Sequence, residues 1–258
     1  MGLSIGGTIK KAVSGLKGKW LTVLLSLSAT LCAFFLVTVI AEAAQYSASL
    51  TLDFVADEKV REAMLSNLHT VITVMNAAAM LLVSVPVLVG FKRVILLLIR
   101  GENASFADLF WCYSKDRIIR TVGLKSTVIL KLFLWTALFI IPSYLSYEII
   151  NGFAAEWIAV YVKYLLMGIG VCVFAIKLIS YSAVDFIFIQ NENMKSREII
   201  KKSVSNFGLH SDGFGKTALL YLTLTPVILT CLLVFPLFYV IPFVFACAAV
   251  NVDSIINP

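Results

Sequence analysis

Apolar residues fill six long blocks of this chain, at positions 20–42, 69–91, 123–146, 157–178, 217–235 and 237–252. About 20 apolar residues wound as a helix match the roughly 30 Å hydrocarbon core of a bilayer. A helix satisfies its own backbone polar groups, which lipid cannot do. The pattern therefore predicts an all-α fold, a polytopic transmembrane helical bundle of about six spans. The sixth block is short, and 16 residues rise only about 24 Å. Pro142, Pro226 and Pro242 fall inside blocks and predict bends.

The polar bends at 92–122 and 179–215 share one layout. Phe91 to Tyr113 reads FKRVILLLIRGENASFADLFWCY, with an elbow at Gly101-Glu102-Asn103. Tyr181 to Phe207 reads YSAVDFIFIQNENMKSREIIKKSVSNF, with an elbow at Gln190-Asn191-Glu192-Asn193. Each leaves an apolar span and enters a short amphipathic helix. In the first hook Ser105 and Asp108 form an S-x-x-D start, and Phe106, Leu109, Phe110 and Tyr113 repeat at i, i+3, i+4 and i+7. That spacing predicts a helix half-sunk among headgroups. In the second, Ile200, Val204 and Phe207 form an apolar edge, and Arg197, Lys201 and Lys202 a basic one. Phe106, Leu109, Phe110, Tyr113, Arg197, Lys201 and Lys202 are the candidate lipid- or partner-docking surface. Val94, Glu102 and Asn103 recur ninety residues on as Val184, Glu192 and Asn193, which predicts a parallel internal repeat of span, hook and span.

Residues 1–19 form a basic segment with Ile9, Val13, Leu16 and Trp20 at helical spacing, suited to an interfacial helix or a basic tail. Residues 20–258 form one transmembrane domain. The first block exceeds the 7–15 residues of a signal core and is expected to be a retained span. Residues 43–68 are polar enough to predict an outer loop, with a short helix from about Ala56 running into the second span.

Apolar residues make up 60% of the chain, and the net charge is +6. Lysines and arginines cluster before the first span and in both hooks, while the opposite loops carry only Lys59 and Arg61. The positive-inside rule then places both termini and both hooks in the cytoplasm, in a cell membrane. The expected partners are anionic headgroups of the bilayer, together with a membrane-protein partner or a second copy of the chain, and not nucleic acid.

Five cysteines are scattered singly, with no CxxC pair, and the two histidines, His69 and His210, fall on opposite sides in this topology. No HExxH, GxSxG, P-loop or dinucleotide fingerprint is present. No catalytic group, cofactor or metal is expected. Charges within spans are functional suspects. Lys131 and Lys163 lie where they can snorkel to opposite surfaces. Lys177, Tyr181 and Asp185 stand at i, i+4 and i+8, a candidate polar stripe. The first expectation is a non-enzymatic membrane subunit or scaffold docking lipids or proteins on its basic face. The alternatives are a small-solute or lipid transporter with a polar path near that stripe, and an intramembrane lipid-headgroup enzyme using Asp185, Ser182 and Tyr181.

Three stretches carry a resemblance: GFKRVILLLIRGENASFADLF, the Tyr181 to Ser203 hook with SREII at Ser196 to Ile200, and FPLFYVIPFVFACAAV near the end. Across about residues 88–254 the chain resembles a bacterial family of six-span integral membrane proteins known only as a domain of unknown function. It is similar, more distantly, to the membrane domain of some glycerophosphodiester phosphodiesterases. The chain departs from that family at the second elbow, where Gln190-Asn191-Glu192 stands in place of Asp-Asn-Pro. The resemblance implies a helical membrane fold in a bacterial plasma membrane and supplies no activity.

Overall fold

The computed structural model describes residues 4–55, 57–229 and 237–257, and no strand occurs among them. The helices are α1 (Ile5–Leu16), α2 (Trp20–Leu52), α3 (Glu58–Ala79), α4 (Val85–Ile99), α5 (Lys115–Asn151), α6 (Glu156–Tyr181), α7 (Val184–Gln190), α8 (Ser196–Phe207), α9 (Asp212–Leu229) and α10 (Leu237–Ile256). A π turn, Met80–Ser84, joins α3 to α4, and a 3-10 helix, Phe106–Tyr113, lies between α4 and α5. Among the described residues five helical stretches are long and apolar enough to cross a membrane: Trp20–Leu52, Glu58–Ile99, Asp116–Asn151, Glu156–Gln190 and Phe238–Ile256. Helix α9 covers the first part of the span expected at 217–235. The rest of that span, and the turn expected at Phe235-Pro236, lie outside the described residues.

The loop expected at 43–68 is mostly helix. Helix α2 continues through AEAAQYSASLTL, rich in strong helix formers, and stops only at Leu52. Asp57 then caps α3, its carboxylate accepting from the Lys59 and Val60 N–H groups at 3.0 and 3.3 Å. Polarity ends an apolar block but does not end a helix. The resulting 33-residue α2 rises about 50 Å, well beyond a hydrocarbon core. Helices α5 and α6 form a second long hairpin, whose outer surface is apolar and exposed on most sides.

Helix α4 is central. Val89, Phe91, Val94, Ile95, Leu96 and Leu98 are all buried, packed among α1, α2, α7, α10 and the 3-10 helix. Gly90 makes the closest of these approaches. A Cβ there would lie 1.8 Å from the Leu109 carbonyl oxygen, so only glycine lets the 3-10 helix lie on α4. The end of α4 is a Schellman motif: Glu102 N–H donates to Leu97 O at 2.9 Å and Gly101 N–H to Leu98 O at 3.1 Å. Gly101, at φ +78°, takes the left-handed conformation this motif requires.

The first hook is a 3-10 helix and not the expected amphipathic α-helix. Three residues per turn align Leu109 with Cys112, both buried, and Phe110 with Tyr113, both partly exposed; Phe106, the first residue of the helix, is also exposed. Helix α1 also differs from expectation: it buries Thr8, Ala12 and Leu16 against α4 and α10, and leaves Val13 exposed. Gly15 permits this, since a Cβ there would stand 3.0 Å from Ile99 Cα.

Some positions ninety residues apart make like contacts. Asp108 accepts from Ser105 N–H at 2.9 Å, and Glu198 from Lys195 N–H at 3.3 Å, so each hook helix starts on the same backbone contact. Arg100 and Gln190 end the two helices that enter the hooks. Both donate to Asp253 Oδ1 of α10, at 2.6 and 3.4 Å. Lys19 Nζ adds a bond to Glu102 O at 3.2 Å. Both elbows, the start of α2 and the end of α10 thus meet at one end of the bundle.

Candidate functional site

The long apolar run of the fourth span is interrupted. Helix α6 ends at Tyr181, residues Ser182 and Ala183 turn, and α7 begins at Val184. Almost every residue of α7 is buried, Asp185 included at 3% exposure. A buried carboxylate needs partners, and two lysines supply them. Lys125 of α5 places Nζ 2.5 Å from Oδ1, and Lys92 of α4 donates to Oδ2. The Lys92 ammonium also lies 5.9 Å from the Phe186 ring centre and 5.5 Å from that of Phe245, a cation–π setting.

These three side chains floor a cavity of about 610 Å³ between α4, α5, α6 and α9. Its walls include Val85, Leu88, Val128, Leu132 and Ile179, with Tyr181, Ser182 and Tyr221 among them. The volume is that of a small-molecule pocket. The cluster carries two ammonium groups and one carboxylate.

Adjacent positions on a helix point about 100° apart, so Arg93 serves a different network from Lys92. The Trp111 ring has the Arg93 guanidinium 4.5 Å from its centre and that of Arg117 at 4.8 Å. Arg93 pairs with Asp108 at 3.5 Å and with Glu192 at 3.8 Å, and Arg117 pairs with Glu192 at 2.9 Å. Arg120 donates to Met194 O at 2.9 Å. The two hooks are therefore cross-linked by arginines, with Trp111 resting edge-on against Phe188.

The residues singled out from the sequence separate into several places. Tyr181 and Asp185 both line the cavity. Lys177 does not join them, because its ammonium lies 4.2 Å from the Trp135 ring centre, and the break after Tyr181 removes the continuous face that i, i+4, i+8 spacing needs. Lys163 faces the Tyr144 and Tyr147 rings at 4.2 and 5.0 Å. In the docking surface Phe106, Phe110 and Tyr113 stack in sequence, at 5.7 and 6.1 Å between centres, and Tyr113 OH donates to Val83 O at 2.7 Å. Leu109 is fully buried and presents nothing outward. Arg197 and Lys201 are exposed on α8, and Lys202 is half-buried. Lys92 and Lys125, the partners of Asp185, were legible only as basic flanks of their spans.

Cys112 lies under the 3-10 helix, and burial pushes its thiol up to about 11. The nucleophile is the thiolate, so the group stays protonated and inert at neutral pH. N-ethylmaleimide followed by peptide mass mapping should leave Cys112 unmodified in folded protein at pH 7 and at pH 9, and modify it after denaturation. Labelling of the folded protein at pH 7 would contradict this packing. Among the described residues no group of three His, Cys, Asp or Glu side chains is placed to hold a metal ion.

No family model matches the chain, and no curated protein and no solved structure matches it either.

Proposed function

We propose that this membrane protein is a non-enzymatic carrier or binding protein that takes a small solute or a lipid into the cavity above Lys92, Lys125 and Asp185. The observation that supports this is a cavity between long apolar helices with a buried, doubly paired carboxylate at its floor. Charged groups in such a setting are costly to maintain and mark binding or transport paths more often than inert packing. Six spans, with both termini and both hooks in the cytoplasm, complete the reading. The clustering of lysines and arginines with the hooks supports that orientation.

A second reading, a scaffold that docks anionic headgroups or a partner protein, has the exposed Arg197 and Lys201 edge of α8 in its favour. The two roles use different surfaces and can coexist.

Accessibility tests the main reading. In a variant without native cysteines, S182C should react with a small charged thiosulfonate, and A175W, which fills the cavity from α6, should block that reaction. An S182C thiol that resists while K201C reacts would sink the carrier reading. E58C should label from outside intact cells and E198C only after permeabilisation. The reverse pattern would overturn the orientation.

A further inference from the structure

Resting on the carrier reading, we propose that the cavity takes the headgroup of a phosphate-bearing anionic lipid, with Lys92 and Lys125 as the phosphate-binding pair and Asp185 as their resident counter-charge. The charge count is the first reason. Lys92 and Lys125 share Asp185, the one carboxylate among the described residues lining the cavity, so the pair carries one more basic group than acidic ones there. An uncompensated charge away from water is costly, and an anion corrects it. Asp185 already shows that both ammonium groups converge on one oxyanion. Each ammonium has three N–H donors, and one bond to Asp185 leaves others to turn toward a ligand. A phosphate offers several oxygens to such a pair of point charges.

The walls are the second reason. A soluble anion needs no apolar surface, yet Val85, Leu88, Val128 and Leu132 rise from the charged floor. Ile129 and Leu178 also line the cavity and are 49% and 46% exposed on helices long enough to cross a membrane. Acyl chains fit that surface, and the bilayer is the direction of entry.

The test is native mass spectrometry and thermal melting of the full-length protein in neutral detergent. The probes are phosphatidic acid, phosphatidylcholine, oleate and inorganic phosphate. Phosphatidic acid should stay bound under activation that strips phosphatidylcholine and oleate, and should raise the melting temperature. K125M leaves a balanced Lys92–Asp185 pair, so it should fold without lipid at least as stably as the parent. It should bind phosphatidic acid at least tenfold more weakly and lose the lipid-induced shift. K125R should retain most of both, and K11M/K17M, at two exposed positions on α1 and just after it, should change neither. Equal retention of oleate or phosphatidylcholine, or unchanged affinity in K125M, would overturn the proposal. Full displacement of phosphatidic acid by millimolar inorganic phosphate would assign the site to a soluble anion and overturn the lipid source. A reactive S182C with failure of the lipid arm rejects the ligand class alone, whereas an unreactive S182C rejects the carrier reading beneath it.

Discussion

D185N should destabilise the folded protein more than any other single substitution of a charged residue. Asp185 is 3% exposed and holds both Lys92 and Lys125. Asparagine keeps the shape and removes the charge, leaving two ammonium groups facing each other over a neutral amide. Removing one partner of a buried pair costs about 3–5 kcal/mol. Here the loss also turns attraction into repulsion between the lysines. Thermal melting in detergent should show the largest drop for D185N. A much smaller drop should follow D185N/K92M/K125M, in which no buried charge remains. If D185N melted with the parent protein, the cluster would be wet enough to screen itself, and the charge argument for the cavity would fail.

G90V should be the most damaging change that involves no charge. The added Cβ would lie 1.8 Å from Leu109 O, 2.6 Å from its carbonyl carbon and 3.0 Å from its Cα. All three are backbone atoms, so no side chain can swing aside, and α4 must separate from the 3-10 helix. Overpacking of this kind costs about 1–3 kcal/mol or more. It also displaces Trp111 and Asp108, two positions and one position from Leu109, and so reaches the arginine cross-link between the hooks. G123A and G168A are matched controls, since nothing lies within 4 Å of a Cβ at either position. They should be neutral or gain up to about 1 kcal/mol from helix propensity. G90A melting like G123A would mean that the helices do not approach this closely.

Hydropathy made the helical class and most of the spans legible, because lipid-crossing segments must be apolar along their whole length. It failed where helices outrun the hydrocarbon, as α2 does after Glu42 and α3 does before His69. There the helix rests on propensity and hairpin packing. The Ala-Glu-Ala-Ala-Gln run from Ala41 to Gln45 was the available signal. Amphipathic spacing marks the first hook but with the wrong period, and it groups the buried Leu109 with Phe110 and Tyr113, which lie on another face of the 3-10 helix.

The candidate site was half legible. Asp185 stood out as a charge inside an apolar run, and Tyr181 does line the same cavity. Its partners did not stand out, since Lys92 is 93 residues away and Lys125 is 60 residues away. Periodicity ranks neighbours on one helix and is blind to such pairs. Lys177 was drawn in by that bias, whereas its ammonium lies against Trp135. Arg100 and Gln190, ninety residues apart, both reach Asp253, although the hook helices that follow them differ, one 3-10 and one α.

The π turn at Met80–Ser84 carries one more residue than an α-helical turn would, as the Val85 N–H donation to Met80 O records. The wide turn absorbs that residue, so the same sequence wound as an unbroken α-helix, with nothing removed, would rotate everything downstream by about 100° relative to the upper half of the same helix. Lys92 would then swing away from Asp185 although the turn lies about 15 Å distant. The rotational phase of the charged floor is therefore set by one wide turn far from it.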